Sequence, residues 1–63
     1  MTLTDAIARP GAAVIYTHPA TGRKEYGELS HHGFTERGLI GVYYDETLIL
    51  THPANLTFDR KQQ

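Results

Sequence analysis

Apolar residues in this chain come in short clusters broken by Gly, Pro or charged positions, the pattern of brief strands joined by tight turns. The longest apolar run is Ala12 to Tyr16. β-branched and aromatic residues make Ala12 to Thr17 a first strand, and the loop His18 to Arg23 follows, with Pro19, Thr21 and Gly22 supplying turn geometry. Lys24 to Ser30 reads as a second strand. Within it Tyr26 and Leu29 fall on opposite parities, so a bulge at Gly27 is expected to reset the register, at a point where another backbone comes close. His31 to Gly38 is polar, carries two glycines and reads as the longest loop. Leu39 to Tyr44 is a third strand, with Ile40, Val42 and Tyr44 on one face and Leu39, Gly41 and Tyr43 on the other. Asp45-Glu46 turns the chain, Thr47 to Thr51 is a fourth strand, and Leu56 to Phe58 adds a short fifth.

Two of these strands stop in the same way. Thr17-His18-Pro19-Ala20 and Thr51-His52-Pro53-Ala54 are identical tetrapeptides. Proline has no N–H for a ladder and pushes the preceding residue toward extended geometry, so each His-Pro step leaves a strand. The second copy is expected to make a tight, packed 3-10 turn over His52 to Asn55, and the first to open a mobile loop. At the N-terminus, Thr2 or Thr4 is placed to cap a helical turn over Leu3 to Ala8, with Asp5 in its first turn and Arg9 in its last, before Pro10-Gly11 ends it. Val14, Leu29, Ile40, Val42, Leu50 and Leu56 are the expected core; Leu39, Ile49 and several tyrosines fall on the opposite parity. The chain thus reads as one domain over residues 1–63, with an ordered part over about 10–58 and a frayed tail over 59–63.

Five short strands, tight connections and a late helical turn form the pattern of an all-β, five-stranded SH3-like barrel with a short N-terminal helical turn. Closure also answers the edge problem of so small a sheet. The run Pro10-Gly11-Ala12-Ala13-Val14-Ile15-Tyr16, then Glu25-Tyr26-Gly27-Glu28-Leu29-Ser30, Ile40-Gly41-Val42-Tyr43-Tyr44 and Asn55-Leu56-Thr57 resembles small uncharacterised proteins of bacteriophage and prophage genomes. Those combine a G-x-x-V-x-Y strand, an E-x-G-x-I/L strand, a V-x-V-x-Y strand and a closing D/N-L-T. The resemblance spans Pro10 to Phe58 and implies a fold; no activity comes with it.

Composition narrows the chemistry. Cysteine is absent from the 63 residues, which excludes disulfides and thiolate metal sites. Six Lys/Arg against seven Asp/Glu give a net charge of −1, without the positive excess that tracks a phosphate backbone. There is no apolar run of spanning length and no signal-type N-terminus, so a cytoplasmic protein is expected. No Gly-rich phosphate loop occurs, Ser30 beside His31 lacks a nucleophile-elbow context, and Glu25 with Glu28 or Asp45 with Glu46 read as solvated carboxylates. The expectation is a protein that is not an enzyme and needs no cofactor. Of the four histidines, only His18 and His52 are candidates to meet, as weak metal ligands if both His-Pro turns lie at one end of the barrel; His31 and His32 are adjacent and on a strand would point apart.

The aromatic residues are the stronger signal. Tyrosine offers a large rigid face and a polar tip at low entropic cost. In SH3-like and Tudor-like barrels, which the chain resembles in architecture, such residues form the ligand groove. Tyr16, Tyr26, Phe34 and Tyr43, with Arg23 and Lys24 as a rim, are the candidate binding residues for a host or phage macromolecule, a protein partner first. A nucleic-acid-binding barrel is the alternative, and a His-based metal-binding protein a further one. No membrane partner is expected. The apolar residues outside the core parity also point to a homodimer, because a core this small cannot cover both faces of every strand.

Overall fold

The computed structural model describes residues 1–59. It is mostly β: a curled half-barrel of antiparallel strands with one short helix. In chain order come α1 (Leu3–Ile7), β1 (Ala13–Thr17), β2 (Lys24–Leu29), β3 (Thr35–Glu36), β4 (Leu39–Tyr44), β5 (Thr47–Thr51), a 3-10 turn (Pro53–Asn55) and β6 (Leu56–Phe58). β5 pairs with β4, β4 with β2, β2 with β1, and β1 with β6. No helix among the described residues is long and apolar enough to cross a membrane.

Thr2 is the residue that caps α1. Its Oγ1 accepts from the Asp5 N–H at 3.1 Å, while Asp5 Oδ2 accepts from the Thr2 N–H at 3.3 Å, a reciprocal capping box. The helix buries Ala6 against the sheet. At its start the Met1 amino group donates to the carbonyls of Pro53 and Leu56, at 3.2 and 2.9 Å.

The core is Ala6, Val14, Leu29, Ile40, Val42 and Leu56. Five of the six residues expected there are present. Leu50 is not; it is half-buried, and the turn explains why. Asp45 takes up φ 59°, and the two-residue connection pairs Tyr44 with Thr47, Val42 with Ile49, Gly41 with Leu50 and Ile40 with Thr51. Directly opposed residues share a face, so Leu50 lies with Gly41 on the outer side of the sheet, and Ile49, expected on that side, lies with Val42 on the inner one. Ile49 is nevertheless 47% exposed because β5 is the last strand of its edge.

The bulge expected at Gly27 is absent. Ala13, Val14 and Ile15 pair in unbroken register with Glu28, Gly27 and Tyr26, and φ at Gly27 lies outside the left-handed region. Leu29 and Gly27 face inward and Tyr26 and Glu28 outward without any reset. The close backbone approach is present: a Cβ at Gly27 would stand 2.7 Å from the Tyr43 carbonyl oxygen and 2.9 Å from Val42 Cγ1.

The ladder is interrupted further on. β2 pairs with Tyr43 and Val42 of β4, and β3, inside the stretch read as a loop, pairs with Ile40 and Leu39. Since β5 occupies the other edge of β4 throughout, β2 and β3 run in line along one edge, and residues 30–34 leave it between them. Gly41 holds both ends of this excursion, accepting from the Ser30 N–H at 3.0 Å and donating to the Phe34 carbonyl at 2.7 Å. Arg37 and Gly38, at φ 53° and 81°, then close the β3–β4 hairpin with the paired left-handed residues of a type I′ turn.

The two Thr-His-Pro-Ala turns differ in burial. Pro53 is buried and opens the 3-10 turn, with the Asn55 N–H donating to the His52 carbonyl at 3.1 Å, whereas Pro19 is exposed. Past β6, the Asp59 N–H donates to the Ala13 carbonyl at 2.9 Å; the rest of the expected frayed tail, 60–63, lies outside the described residues.

Candidate functional site

The outer face of β4 collects most of the exposed apolar side chains. Gly41 leaves a gap in this face that Phe34 and Leu48 cover from either side, since a Cβ there would meet Leu48 Cδ1 at 3.1 Å and Phe34 Cδ2 at 3.3 Å. Leu48 lies directly across from Tyr43, and Tyr43 across from Glu28. Two residues before Glu28, on the same face, stands Tyr26. Phe34, Leu48, Tyr43 and Tyr26 therefore run as one row, with exposures of 43, 40, 38 and 61%. Three of the four candidate aromatics come together here, joined by Leu48, which sequence reasoning had not singled out.

Tyr16 stands apart. It is on the inward parity of β1, opposite Glu25 and Leu56, and packs edge-on against Tyr44 with ring centroids 6.5 Å apart. His18 meets the other side of Tyr16 at 6.3 Å. This group sits at the open mouth of the half-barrel, in a cleft of about 340 Å³ that Glu25, Ile49, Thr51 and His52 also line. The Tyr44 hydroxyl lies 3.0 Å from Thr51 Oγ1. Burial pushes the Tyr44 phenol above its ordinary value, and the Glu25 carboxylate adds to the shift.

Lys24 shares the outer face with Tyr26, two residues away, and pairs across β1 with Thr17. Arg23 is in the β1–β2 loop, where its N–H donates to Thr21 Oγ1 at 3.2 Å and its carbonyl accepts from the His18 N–H at 2.8 Å. Both side chains are exposed. A cleft at Tyr26 and Tyr43 is lined by residues of the opposite charge. This shallow cleft, of about 330 Å³, is lined by both tyrosines and also by Glu28, Asp45 and Asp59, together with Ala13 and Gly27. The carboxylates, like Leu48, escape a reading of the chain that treats each strand separately; the register that follows from the Asp45-Glu46 turn is the signal that would have found Leu48.

The histidines have different surroundings. His18 Nδ1 accepts from the Ala20 N–H at 3.2 Å, His52 lines the mouth cleft, and His31 packs over Gly11. Among the described residues no three His, Cys, Asp or Glu side chains are grouped as a metal site would need. Ser30 is buried, and its Oγ accepts from the His32 N–H at 3.3 Å. Of these surfaces, the outer one has the chemistry of a binding site: two aromatic side chains, an apolar neighbour and the Glu28 and Asp45 carboxylates, an arrangement that attracts a cation riding on an apolar stem.

Comparisons with family models, with curated proteins and with solved structures find no match for this chain.

Proposed function

We propose that the protein is a small interaction module, an SH3-like barrel whose outer face binds a basic segment of a host or phage protein. Support for the SH3-like reading comes from the order of pairing: β1 with β2, β2 with β4 past the short β3, and β4 with β5, then a 3-10 turn that carries the chain into a last strand beside the first. The phage-type origin rests on the strand motifs alone. The observation that carries the function is the cleft lined by Tyr26 and Tyr43 together with the Glu28 and Asp45 carboxylates. An arginine or lysine lying in this cleft gains a cation–π contact and carboxylate partners together, and Leu48 and Phe34 extend the surface for an apolar neighbour in the same segment. The same carboxylates repel a phosphate backbone, which ranks protein above nucleic acid as partner.

The test is a titration of ¹⁵N-labelled protein with two short peptides, identical except for Arg or Glu at the centre, and with a single-stranded oligonucleotide. The Arg peptide should shift the amides of Tyr26 to Glu28 and Tyr43 to Asp45 and leave the mouth of the half-barrel unmoved. Binding of the Glu peptide or the oligonucleotide in its place would overturn the reading.

A further inference from the structure

We propose that β5 is a self-pairing edge through which two copies of this chain form a two-fold dimer with one continuous sheet. This goes beyond the partner surface above and uses the open edge of β5, sharing only Leu48 with that surface. β5 reads Thr47-Leu48-Ile49-Leu50-Thr51, the same sequence in both directions. Among the described residues it pairs with β4 alone, so its other side is an open edge.

Edges of this kind are ordinarily blunted by proline, by charge or by a bulge. β5 has none of these over its length: it is uncharged, free of proline, and in unbroken register with β4 from Thr47 to Thr51. Leu48 and Ile49 are exposed on its two faces. The ladder determines which backbone groups are available. With Tyr44 and Thr47 closing a two-residue turn, Thr47, Ile49 and Thr51 direct their N–H and C=O groups to β4, and the alternate residues Leu48 and Leu50 direct theirs outward.

An antiparallel second copy centred on Ile49 satisfies this edge completely. Leu48 then faces the second copy's Leu50 and exchanges both backbone hydrogen bonds with it, and Leu50 does the same with Leu48. Ile49 meets Ile49 on the axis as the closely spaced, non-hydrogen-bonded pair, and threonine faces threonine at the ends. Beyond the strand, the same register brings Glu46 opposite the second copy's His52. A two-fold axis returns each contact whatever the sequence; the palindrome adds that every residue of β5 meets one of its own kind, apolar against apolar and hydroxyl against hydroxyl, with no charge inside the strand. Any other strand could match the backbone of this edge, but a second β5 also matches every side chain.

Sedimentation from low to high micromolar concentration, with Ile49→Lys and Ile49→Glu beside the wild type, tests the proposal. Ile49 is half exposed, so both variants should keep the wild-type circular dichroism in dilute solution and remain folded at the temperature of the experiment, with a lowered melting temperature. The wild type should sediment as a dimer that dissociates on dilution. Each variant alone should raise the dissociation constant by about tenfold or more, through the lost Ile49–Ile49 burial and like charges on the axis. An equimolar mixture of the two should restore the dimer. In the wild type at high concentration, the Leu48 and Leu50 amides should exchange with solvent more slowly than in dilute protein. A wild type that is monomeric throughout overturns the proposal, as does a dimer indifferent to both variants or one broken by Tyr43→Ser instead. Tyr43→Ser belongs to the partner surface and should leave the dimer intact, so failure of either reading is seen separately.

Discussion

A Cβ on Gly27 would stand 2.7 Å from the Tyr43 carbonyl oxygen, because β2 and β4 cross there with no room for a side chain. The neighbouring obstacles are also fixed: Val42 Cγ1 at 2.9 Å belongs to a fully buried side chain. Gly27→Ala should therefore destabilise the protein by about 1–3 kcal/mol through overpacking, although the backbone angle itself would accept alanine. Urea unfolding checks it; an unchanged midpoint would mean that the two strands can separate without cost.

Val42 and Ile49 face each other across β4 and β5 on the same side of the sheet, one fully buried and the other half exposed. Val42→Ala should cost about 1–3 kcal/mol, by lost transfer energy and the cavity left behind. Ile49→Ala, measured in dilute protein, should cost less than about 1 kcal/mol because much of its surface is already in water. Equal losses in thermal or urea unfolding would contradict the register.

This pair also shows what could be read from the chain. Alternation along Leu39 to Tyr44 placed Ile40 and Val42 correctly, because one strand with one buried face has a clear period of two. Along Thr47 to Thr51 three consecutive apolar residues leave the parity ambiguous, and only the two-residue turn at Asp45-Glu46 decides that Ile49 rather than Leu50 faces Val42. β3 is not legible in the sequence because two polar residues, Thr35 and Glu36, carry no alternation. The gathering of Tyr26, Tyr43 and Phe34 depends on which strands are neighbours, and the separation of Tyr16 from them on which face is inside. Neither relation is local in sequence.

Identical in sequence, the two His-Pro turns should respond differently to the same substitution. Pro53 is buried and starts the 3-10 turn; Pro19 is exposed. Pro53→Ala should cost about 1–3 kcal/mol and Pro19→Ala no more than about 0.5 kcal/mol in thermal unfolding. Comparable losses would contradict the assignment of one turn to packing and the other to a surface loop.

Tyr44 predicts an alkaline limit. Its phenol is raised above the ordinary value of 10.0 by burial first and by Glu25 next, so the folded state holds this proton more tightly than the unfolded chain does. The stability it contributes is complete below the unfolded value and is lost as pH rises through the folded one. Absorbance titration of the tyrosines should show one group ionising later than the rest, and Tyr44→Phe should remove it. A late group that persists in Tyr44→Phe would assign the shift to another ring.

The most direct test of the outer face as a binding site is the affinity of the Arg-centred peptide for the wild type and for a Tyr26→Ser, Tyr43→Ser double variant, measured by calorimetry at low and high salt. Both residues are exposed, so the variant should retain its fold. Losing two aromatic faces should weaken binding by about tenfold or more, and salt should weaken the wild-type complex further by screening the carboxylates. Undiminished affinity in a folded double variant would contradict the account.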